Sequence, residues 1–144
     1  MRLRQLAANA LEHYDLPIEK LQLLEVATNT LFKVTSTEGA RYALRVCTPD
    51  EHSLHDAQVE IAWLQVLCQQ TALPVPQPIA NRNGDFLTFG KAPGVPDERR
   101  CVLFEWIPGR PIDDVLSPEI YRQLGIVMAQ MHDFLSLIHI SEPT

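Results

Sequence analysis

The chain has 144 residues, 46% hydrophobic and 21% charged, which is ordinary for one soluble globular domain with a buried core. Its formal net charge of −6 argues against nucleic acid as a main partner, because phosphate binding needs clustered Lys and Arg that the sequence does not show. The cysteines Cys47, Cys68 and Cys101 are widely spaced and indicate neither a disulfide framework nor a zinc site. They are typical of buried thiols in a reducing cytosol, so we expect a cytoplasmic protein.

The first residues predict an amphipathic helix that ends between His13 and Pro17, because apolar side chains recur at helical spacing among polar ones. The apolar positions are Leu3, Leu6, Ala7, Ala10 and Leu11. An export signal needs an unbroken apolar stretch instead, and the longest apolar runs fall far short of the ~20 residues that span a membrane. We therefore expect neither export nor a membrane span.

Alternation with period two predicts three consecutive antiparallel strands after this helix. The first follows Leu21, the second contains Phe32 and Val34, and the third runs from Tyr42 to Val46. The turn Thr28-Asn29-Thr30 joins the first two strands. Thr37-Glu38-Gly39 predicts a tight hairpin between the second and the third.

A longer helix is predicted from near Ser53 to near Thr71, because apolar residues recur there at steps of three and four. These residues are Leu54, Ala57, Ile61, Leu64 and Cys68. The prolines from Pro74 to Pro78 forbid further helix and predict a stiff, extended connector.

The next segment predicts more strands. Asn83-Gly84 lies between two short apolar stretches and indicates a β-hairpin. We expect a polar, proline-rich loop from Lys91 to Arg100 and an apolar strand from Cys101 to Ile107.

Ser117-Pro118 predicts the start of a last helix, with serine as the N-cap and proline at the first helical position. The final ten residues, Leu135 to Thr144, look like the translation of a transposase adapter used in sequencing libraries. We therefore expect the natural sequence to end near Phe134 and exclude residues 135–144 from the interpretation of the fold.

Two charged residues are the main candidates for chemistry. Ala43 and Arg45 share one face of the third strand, and a small residue beside a cation suits a nucleotide, with room for a base and a charge for phosphates. Glu60 lies beside the apolar stripe of the second helix, where an unpaired charge is costly, and Arg45 is its natural partner. The alternatives are a surface arginine at a sheet edge and a glutamate that reaches solvent.

Four segments in this order resemble the small lobe of the aminoglycoside phosphotransferase family, the small-molecule branch of the protein-kinase-like enzymes. They are Thr28 to Val34, Tyr42 to Val46, Glu60 on its helix, and Val102-Leu103-Phe104-Glu105-Trp106-Ile107-Pro108-Gly109. The resemblance covers about Leu21 to His132. It implies an α+β fold: a kinase-like small lobe with an antiparallel sheet of about five strands and a packed helix, followed by the first helix of a large lobe.

The resemblance also implies roles for residues that would contact ATP. Arg45 would bind the α and β phosphates beside Ala43, and Glu60 would hold Arg45 in position through an ion pair. The implied nucleotide-covering loop is Thr28, Asn29 and Thr30, although it lacks the glycines of protein kinases. In the implied hinge, Phe104 lines the back of the pocket, and the carbonyl of Glu105 and the N–H of Ile107 bind the adenine edge.

By this resemblance, residues 1–108 are the small lobe with its N-terminal helix, 109–134 begin a large lobe, and 135–144 are not native. The implied reaction transfers the γ-phosphoryl group of ATP to a hydroxyl of a small molecule, such as an aminoglycoside, choline or homoserine, with Mg²⁺ at the phosphates. No segment resembles the family's catalytic loop or metal ligands, so we expect no turnover and at best weak nucleotide binding. The alternative is a non-catalytic small-molecule-binding or sensor module, which would not need the Arg45–Glu60 pair.

Overall fold

A computed structural model of the chain describes residues 2–26, 29–49, 53–71, 75–108 and 117–141. Within them lie three helices, α1 (Arg2–Leu11), α2 (Leu54–Gln70) and α3 (Pro118–Ser141). The strands of the described residues are β1 (Ile18–Val26), β2 (Thr30–Ser36), β3 (Arg41–Val46), β4 (Pro78–Ile79), β5 (Thr88–Gly90) and β6 (Arg99–Glu105). The chain divides into two compact units, Met1–Ile107 and Pro108–Thr144.

All six strands belong to one antiparallel sheet in the order β1-β2-β3-β6-β4, with β5 also paired to β6. One edge of β6 pairs along its length with β3. On the other edge, Phe104 faces Pro78 of β4 and Cys101 faces Thr88 of β5, so β4 and β5 lie end to end along the same edge. The expected α+β architecture with about five strand positions is confirmed.

The first three strands form because their apolar residues alternate with polar ones, so that one face of each strand can be buried. Phe32 and Val34 of β2 and Leu44 of β3 have no exposed surface. Gly39, in the turn between β2 and β3, has φ +88, a left-handed conformation that glycine adopts without steric cost. The hairpin predicted at this turn is confirmed.

Each face of the sheet carries a separate cluster of buried residues. The larger cluster lies on the face that α1 covers, and it contains Leu6, Ala7, Ala10, Leu11, Tyr14, Phe32, Val34, Leu44, Val46, Cys101 and Leu103. The smaller cluster joins α2 to the opposite face through Ile61, Val102 and Phe104. The α2 face is therefore less filled with apolar side chains, and it is the face on which Arg45 lies.

Local signals place α2 where the sequence predicts it. Ser53 is its N-cap: its hydroxyl accepts the Asp56 N–H at 3.0 Å, and the Asp56 carboxylate accepts the Ser53 N–H at 3.3 Å. This capping box satisfies backbone donors that the first turn leaves without helical partners. The helix ends at Thr71, whose N–H donates to the Leu67 carbonyl at 3.1 Å.

Two expectations about the second half of the sheet are wrong. The Asn83-Gly84 segment does turn, with φ +84 at Gly84, but the flanking strands β4 and β5 pair with β6 and not with each other. Strand β6 is longer than β4 and β5, and each of these short strands pairs with its free edge. Moreover, β6 begins at Arg99 and ends at Glu105, so Arg100 belongs to the sheet and not to a loop, and Ile107 lies beyond the strand.

The second unit contains α3, which starts at Pro118 as predicted. An ion pair near its start joins Arg122 to Glu119 at 2.6 Å, three residues apart. The helix continues to Ser141, past Leu135, where the expected non-native tail begins. None of the helices in the described ranges combines the length and the apolar character needed to cross a bilayer.

Candidate functional site

An ion pair between Arg45 and Glu60 links the sheet to α2. Arg45 lies on β3 opposite Val102, on the face that α2 covers. Its guanidinium makes two contacts with the Glu60 carboxylate: Nη1 donates to Oε2 at 3.3 Å, and Nη2 donates to Oε1. Two parallel hydrogen bonds between a planar guanidinium and a carboxylate fix orientation as well as distance. The pairing expected between these residues forms.

The environment keeps Arg45 charged although it is largely buried. Its side chain is 20% exposed and that of Glu60 is 45% exposed. Burial by itself lowers the pKa of Arg45, but the hydrogen bond and negative charge of Glu60 oppose it, and the pKa lies above its ordinary value. The guanidinium carbon also lies 5.3 Å from the centre of the Phe104 ring, within range of a cation–π interaction.

A cavity of about 270 Å³ opens beside this ion pair. Its lining comes from the residue before β2, the end of β3 and the two residues after it, the first turns of α2 and the start of β6. The lining residues are Asn29, Arg45, Cys47, Thr48, Asp56, Ala57, Glu60 and Arg100. The Asn29 side-chain oxygen accepts the Thr48 N–H at 3.4 Å, which ties the residue before β2 to the residue after β3. Three of the residues expected to contact a nucleotide therefore meet at one cavity: Arg45, Glu60 and Asn29.

The other expected residues of the covering loop lie elsewhere. Thr30 is buried on the opposite face of the sheet, since it alternates with Phe32 and Val34 and pairs with Val46 of the α1-facing core. Its side chain does not line the cavity. Thr28 lies outside the described residues.

The residues expected near the base lie on or beyond β6. Ala43 is the register partner of Phe104, which is buried on the α2 face. Glu105 is the last residue of β6, and its N–H donates to the Gln77 carbonyl at 2.9 Å. Ile107 is exposed. Neither Glu105 nor Ile107 lines the cavity beside Arg45.

Five lining residues were missed by the interpretation of the sequence: Cys47, Thr48, Asp56, Ala57 and Arg100. Cys47 lies two residues after Arg45 and therefore on the same side of the chain, and Asp56 and Ala57 lie four and three residues before Glu60 on the same helix face. The backbone periods could therefore have predicted these three lining residues. Arg100 alternates with Val102 and Phe104 on β6, but assigning residues 91–100 to a loop concealed it.

The side chains around the Arg45–Glu60 pair include one donor that the described part of the fold leaves unsatisfied. In the described ranges, no group of three or more His, Cys, Asp and Glu side chains lies close enough together to hold a metal. Arg45 also has a buried Nε–H without a hydrogen-bond partner among the described residues. Buried donors of this kind are usually satisfied by protein, water or ligand.

Comparison with known proteins places the chain in a family. The model of the phosphotransferase enzyme family matches residues 20–143. No curated protein matches the sequence. The structure is similar to that of the microcompartment-associated aminopropanol kinase, with 29% sequence identity and a TM-score of 0.72, over 86% of this chain and 38% of that chain.

A second solved structure shares the fold at lower identity. It is amicoumacin kinase hAmiN in complex with AMP-PNP, Ca²⁺ and Ami, with 22% identity and a TM-score of 0.60, over 72% of this chain and 30% of that chain. The present chain thus spans well under half the length of either kinase. Because the family model matches from β1 into α3, the chain belongs to the phosphotransferase enzyme family.

Proposed function

We propose that this chain is the N-terminal part of an ATP-dependent kinase that phosphorylates a hydroxyl of a small molecule, and that the cavity beside Arg45 receives the phosphates of the nucleotide. The observation that carries the proposal is the Arg45–Glu60 ion pair at the cavity wall. A cation that binds phosphate must be held in place before the ligand arrives, and a carboxylate with two hydrogen bonds holds it.

The cavity suits the phosphate part of ATP and not the whole molecule. Its volume of about 270 Å³ is below the ~300–1,000 Å³ typical of complete small-molecule sites. Ala43 and Phe104 lie next to Arg45 on the same face of the sheet, where an adenine ring could pack against them. In this proposal Asn29 contributes a polar group at the phosphates, and the main chain at Glu105 and Ile107 contacts the base.

The remaining parts of the reaction would belong to residues of the longer protein. When bound, Mg²⁺ would neutralise the phosphate charge, and its ligands would come from the segments that the chain does not contain. Residues 1–108 would form the small lobe, residues 109–134 would begin the large lobe, and residues 135–144 would be foreign sequence. The chain alone would bind nucleotide without transferring phosphate, in the cytoplasm.

The acceptor is proposed to be a small molecule with a hydroxyl group. The similar solved structures are named as kinases of aminopropanol and amicoumacin, which supports a small-molecule acceptor. Aminopropanol, choline, homoserine and aminoglycosides all combine a hydroxyl with an amino or quaternary ammonium group. Amino alcohols are therefore the first acceptors to test, with the longer protein encoded by the uninterrupted reading frame.

Cys47 provides a direct test of nucleotide binding at this cavity, because its thiol lines the wall beside Arg45. The chain would be treated with a small thiol reagent with and without ATP, and labelling at each cysteine read by mass spectrometry. We expect ATP to slow labelling of Cys47 while Cys68, outside the cavity, reacts at an unchanged rate. Equal labelling of Cys47 at saturating ATP would refute the proposed site.

Two charge-neutralising variants sharpen this test. Glu60→Gln should weaken protection of Cys47 by ATP, because Arg45 loses its anchor. Glu98→Gln is the matched control, since Glu98 has a similar exposure of 41% and an ion pair with Lys91 but does not line the cavity. If the chain were a sensor module for a different ligand, ATP would protect Cys47 equally in both variants or in neither.

A further inference from the structure

Lys33 and Trp106 form a cation–π contact on the face of the sheet that carries Arg45. The Lys33 Nζ lies 4.9 Å from the centre of the Trp106 ring, within the range of this interaction. Lys33 of β2 is the register partner of Ala43, and Ala43 is the register partner of Phe104. Residues directly opposite each other on paired strands share a face, so Lys33 lies on the α2 side, where Phe104 is buried.

Trp106 continues this face beyond the end of β6. It follows Phe104 by two residues, and its N–H donates to the Arg41 carbonyl at 3.3 Å, so the chain still runs beside β3 after the strand ends. Arg41 and Arg45 lie near the two ends of β3, about 13 Å apart at about 3.3 Å per residue. The phosphate cavity and the Trp106 ring therefore lie towards opposite ends of β3, with Ala43 between them.

Lys33 and Trp106 are held by each other and not by a packed core. Both are half-buried, and within the described ranges neither belongs to the clusters of buried residues on the two faces of the sheet. Part of each side chain is therefore accessible to a ligand. The ammonium group at one face of the indole restricts rotation of the ring. A ring held in this way loses less conformational entropy when a ligand packs against it.

We propose that the Trp106 ring contacts the base end of the bound nucleotide and that Lys33 is a positioning residue that holds this ring. The inference rests on the proposed nucleotide site and adds a side-chain contact to its base end, where only main-chain contacts were assigned. With the phosphates at Arg45, a nucleotide that extends along β3 past Ala43 brings its base to Trp106. A flat indole suits this position, because every base has a π-face on which an aromatic ring can stack.

The test measures binding of ATP and inorganic tripolyphosphate to the 144-residue chain by calorimetry. Tripolyphosphate has the phosphate chain of ATP without the sugar and the base, so it reports on the phosphate cavity alone. The variants are Trp106→Leu, Lys33→Met and Lys33→Arg. Lys91→Met is the control, because it removes the same charge from a lysine that pairs with Glu98 and is 78% exposed. Thermal unfolding establishes that each variant is folded.

We expect Trp106→Leu to weaken ATP binding about tenfold, the scale of one base–aromatic contact, and to change tripolyphosphate binding less than about twofold. Lys33→Met should weaken ATP binding about threefold, because the ring loses the cation that holds it. Lys33→Arg should restore the affinity for ATP, since a guanidinium also makes a cation–π contact. Lys91→Met should match the unaltered chain with both ligands.

Fluorescence reports directly on the ring. The chain has two tryptophans, so Trp63→Phe leaves Trp106 as the source of tryptophan emission. Binding of ATP should change this emission, because the base packs against the indole. Binding of tripolyphosphate should leave it unchanged. A purely structural role of Trp106 would give no difference between the two ligands.

Different results separate this inference from the proposed function. If Trp106→Leu weakens ATP and tripolyphosphate equally, the ring has no specific role at the base and the inference is overturned. If ATP protects Cys47 from labelling but leaves the emission of Trp106 unchanged, the phosphate site stands and the inference is wrong. If Lys33→Met weakens tripolyphosphate as much as ATP, Lys33 binds phosphate and does not act through the ring. If the unaltered chain binds neither ligand and ATP does not protect Cys47, both proposals fail.

Discussion

The coupling between Arg45 and Glu60 can be measured as a free energy. Exposed ion pairs contribute about 0.2–1 kcal/mol, whereas removing one partner of a fully buried pair costs about 3–5 kcal/mol. With side chains 20% and 45% exposed, this pair lies between those limits. We therefore expect a double-mutant cycle of Arg45→Gln and Glu60→Gln to give a coupling of about 1–2 kcal/mol in the free energy of unfolding.

The chain provides both a selective probe and an internal control. Its two tryptophans, Trp63 and Trp106, lie in the unit Met1–Ile107, so tryptophan fluorescence during urea denaturation reports on the unit that holds the pair. The control cycle uses Lys91 and Glu98, whose charged atoms are 3.1 Å apart but whose side chains are 78% and 41% exposed. Its coupling should stay below about 0.5 kcal/mol, as for a solvent-screened pair.

Comparing the two coupling free energies tests whether the Glu60 carboxylate holds the Arg45 guanidinium. A coupling for Arg45 and Glu60 no larger than that of the control would show that the carboxylate does not hold the guanidinium. The proposed phosphate-binding arrangement would then lose its physical basis. Added salt should reduce the control coupling more than the Arg45–Glu60 coupling, because partly buried charges are less screened.

Four further substitutions test the packing, ionisation and capping of the fold. Gly90→Ala should destabilise the fold by about 1–3 kcal/mol, because its new Cβ would lie 2.8 Å from a methyl group of Leu6 and 3.1 Å from the Leu6 carbonyl oxygen. Gly125→Ala should instead stabilise α3 by about 1 kcal/mol, because no described atom lies within 4 Å of its Cβ. Both are measured by urea denaturation followed by circular dichroism, and a destabilisation below about 0.5 kcal/mol for Gly90→Ala would contradict the close packing of α1 on β5. Burial raises the pKa of Cys101 from 9.0 to about 12, so above pH 9 the unfolded thiol loses its proton while the folded one keeps it, and the free energy of unfolding should fall by about 1.4 kcal/mol per pH unit between pH 9 and about 12. Cys101→Val should remove that part of the pH dependence, and identical pH profiles for both proteins would refute it. Ser53→Ala should lower the free energy of unfolding by about 1 kcal/mol, because α2 loses its N-cap. An unchanged free energy of unfolding, measured by circular dichroism during urea denaturation, would contradict the role of Ser53 as the cap.

Local sequence signals determined the elements whose structure depends on neighbouring residues. Helix α2 was predicted within a residue at each end, because its apolar period, its serine cap and the prolines beyond it all act within a few positions. The hairpin at Gly39 followed from a turn that needs a left-handed residue. Period two also placed Ala43 and Arg45 on one face of β3 before any partner was known.

Pairing across the sheet required the tertiary structure. The local pattern around Gly84 is typical of a hairpin, but β4 and β5 both pair with β6, which arrives later in the chain. The backbone N–H and C=O groups at a strand edge can pair with any segment that reaches them, and the residues of a turn do not determine which segment that is. The same limitation hid Arg100, whose place in β6 depends on its pairing with Phe89 of β5.

The amino-acid sequence by itself determined the strand face of Arg45 and the helix face of Glu60, because those follow from short, fixed backbone periods. It identified Arg45 and Glu60 as partners, and the resemblance to a kinase family assigned Asn29 to the nucleotide-covering loop. Only the tertiary structure decided that these three share a cavity with Arg100 and Asp56, and that Thr30 faces the opposite core. The docking of α2 on one face of the sheet sets these distances, and it depends on contacts between residues far apart in the chain.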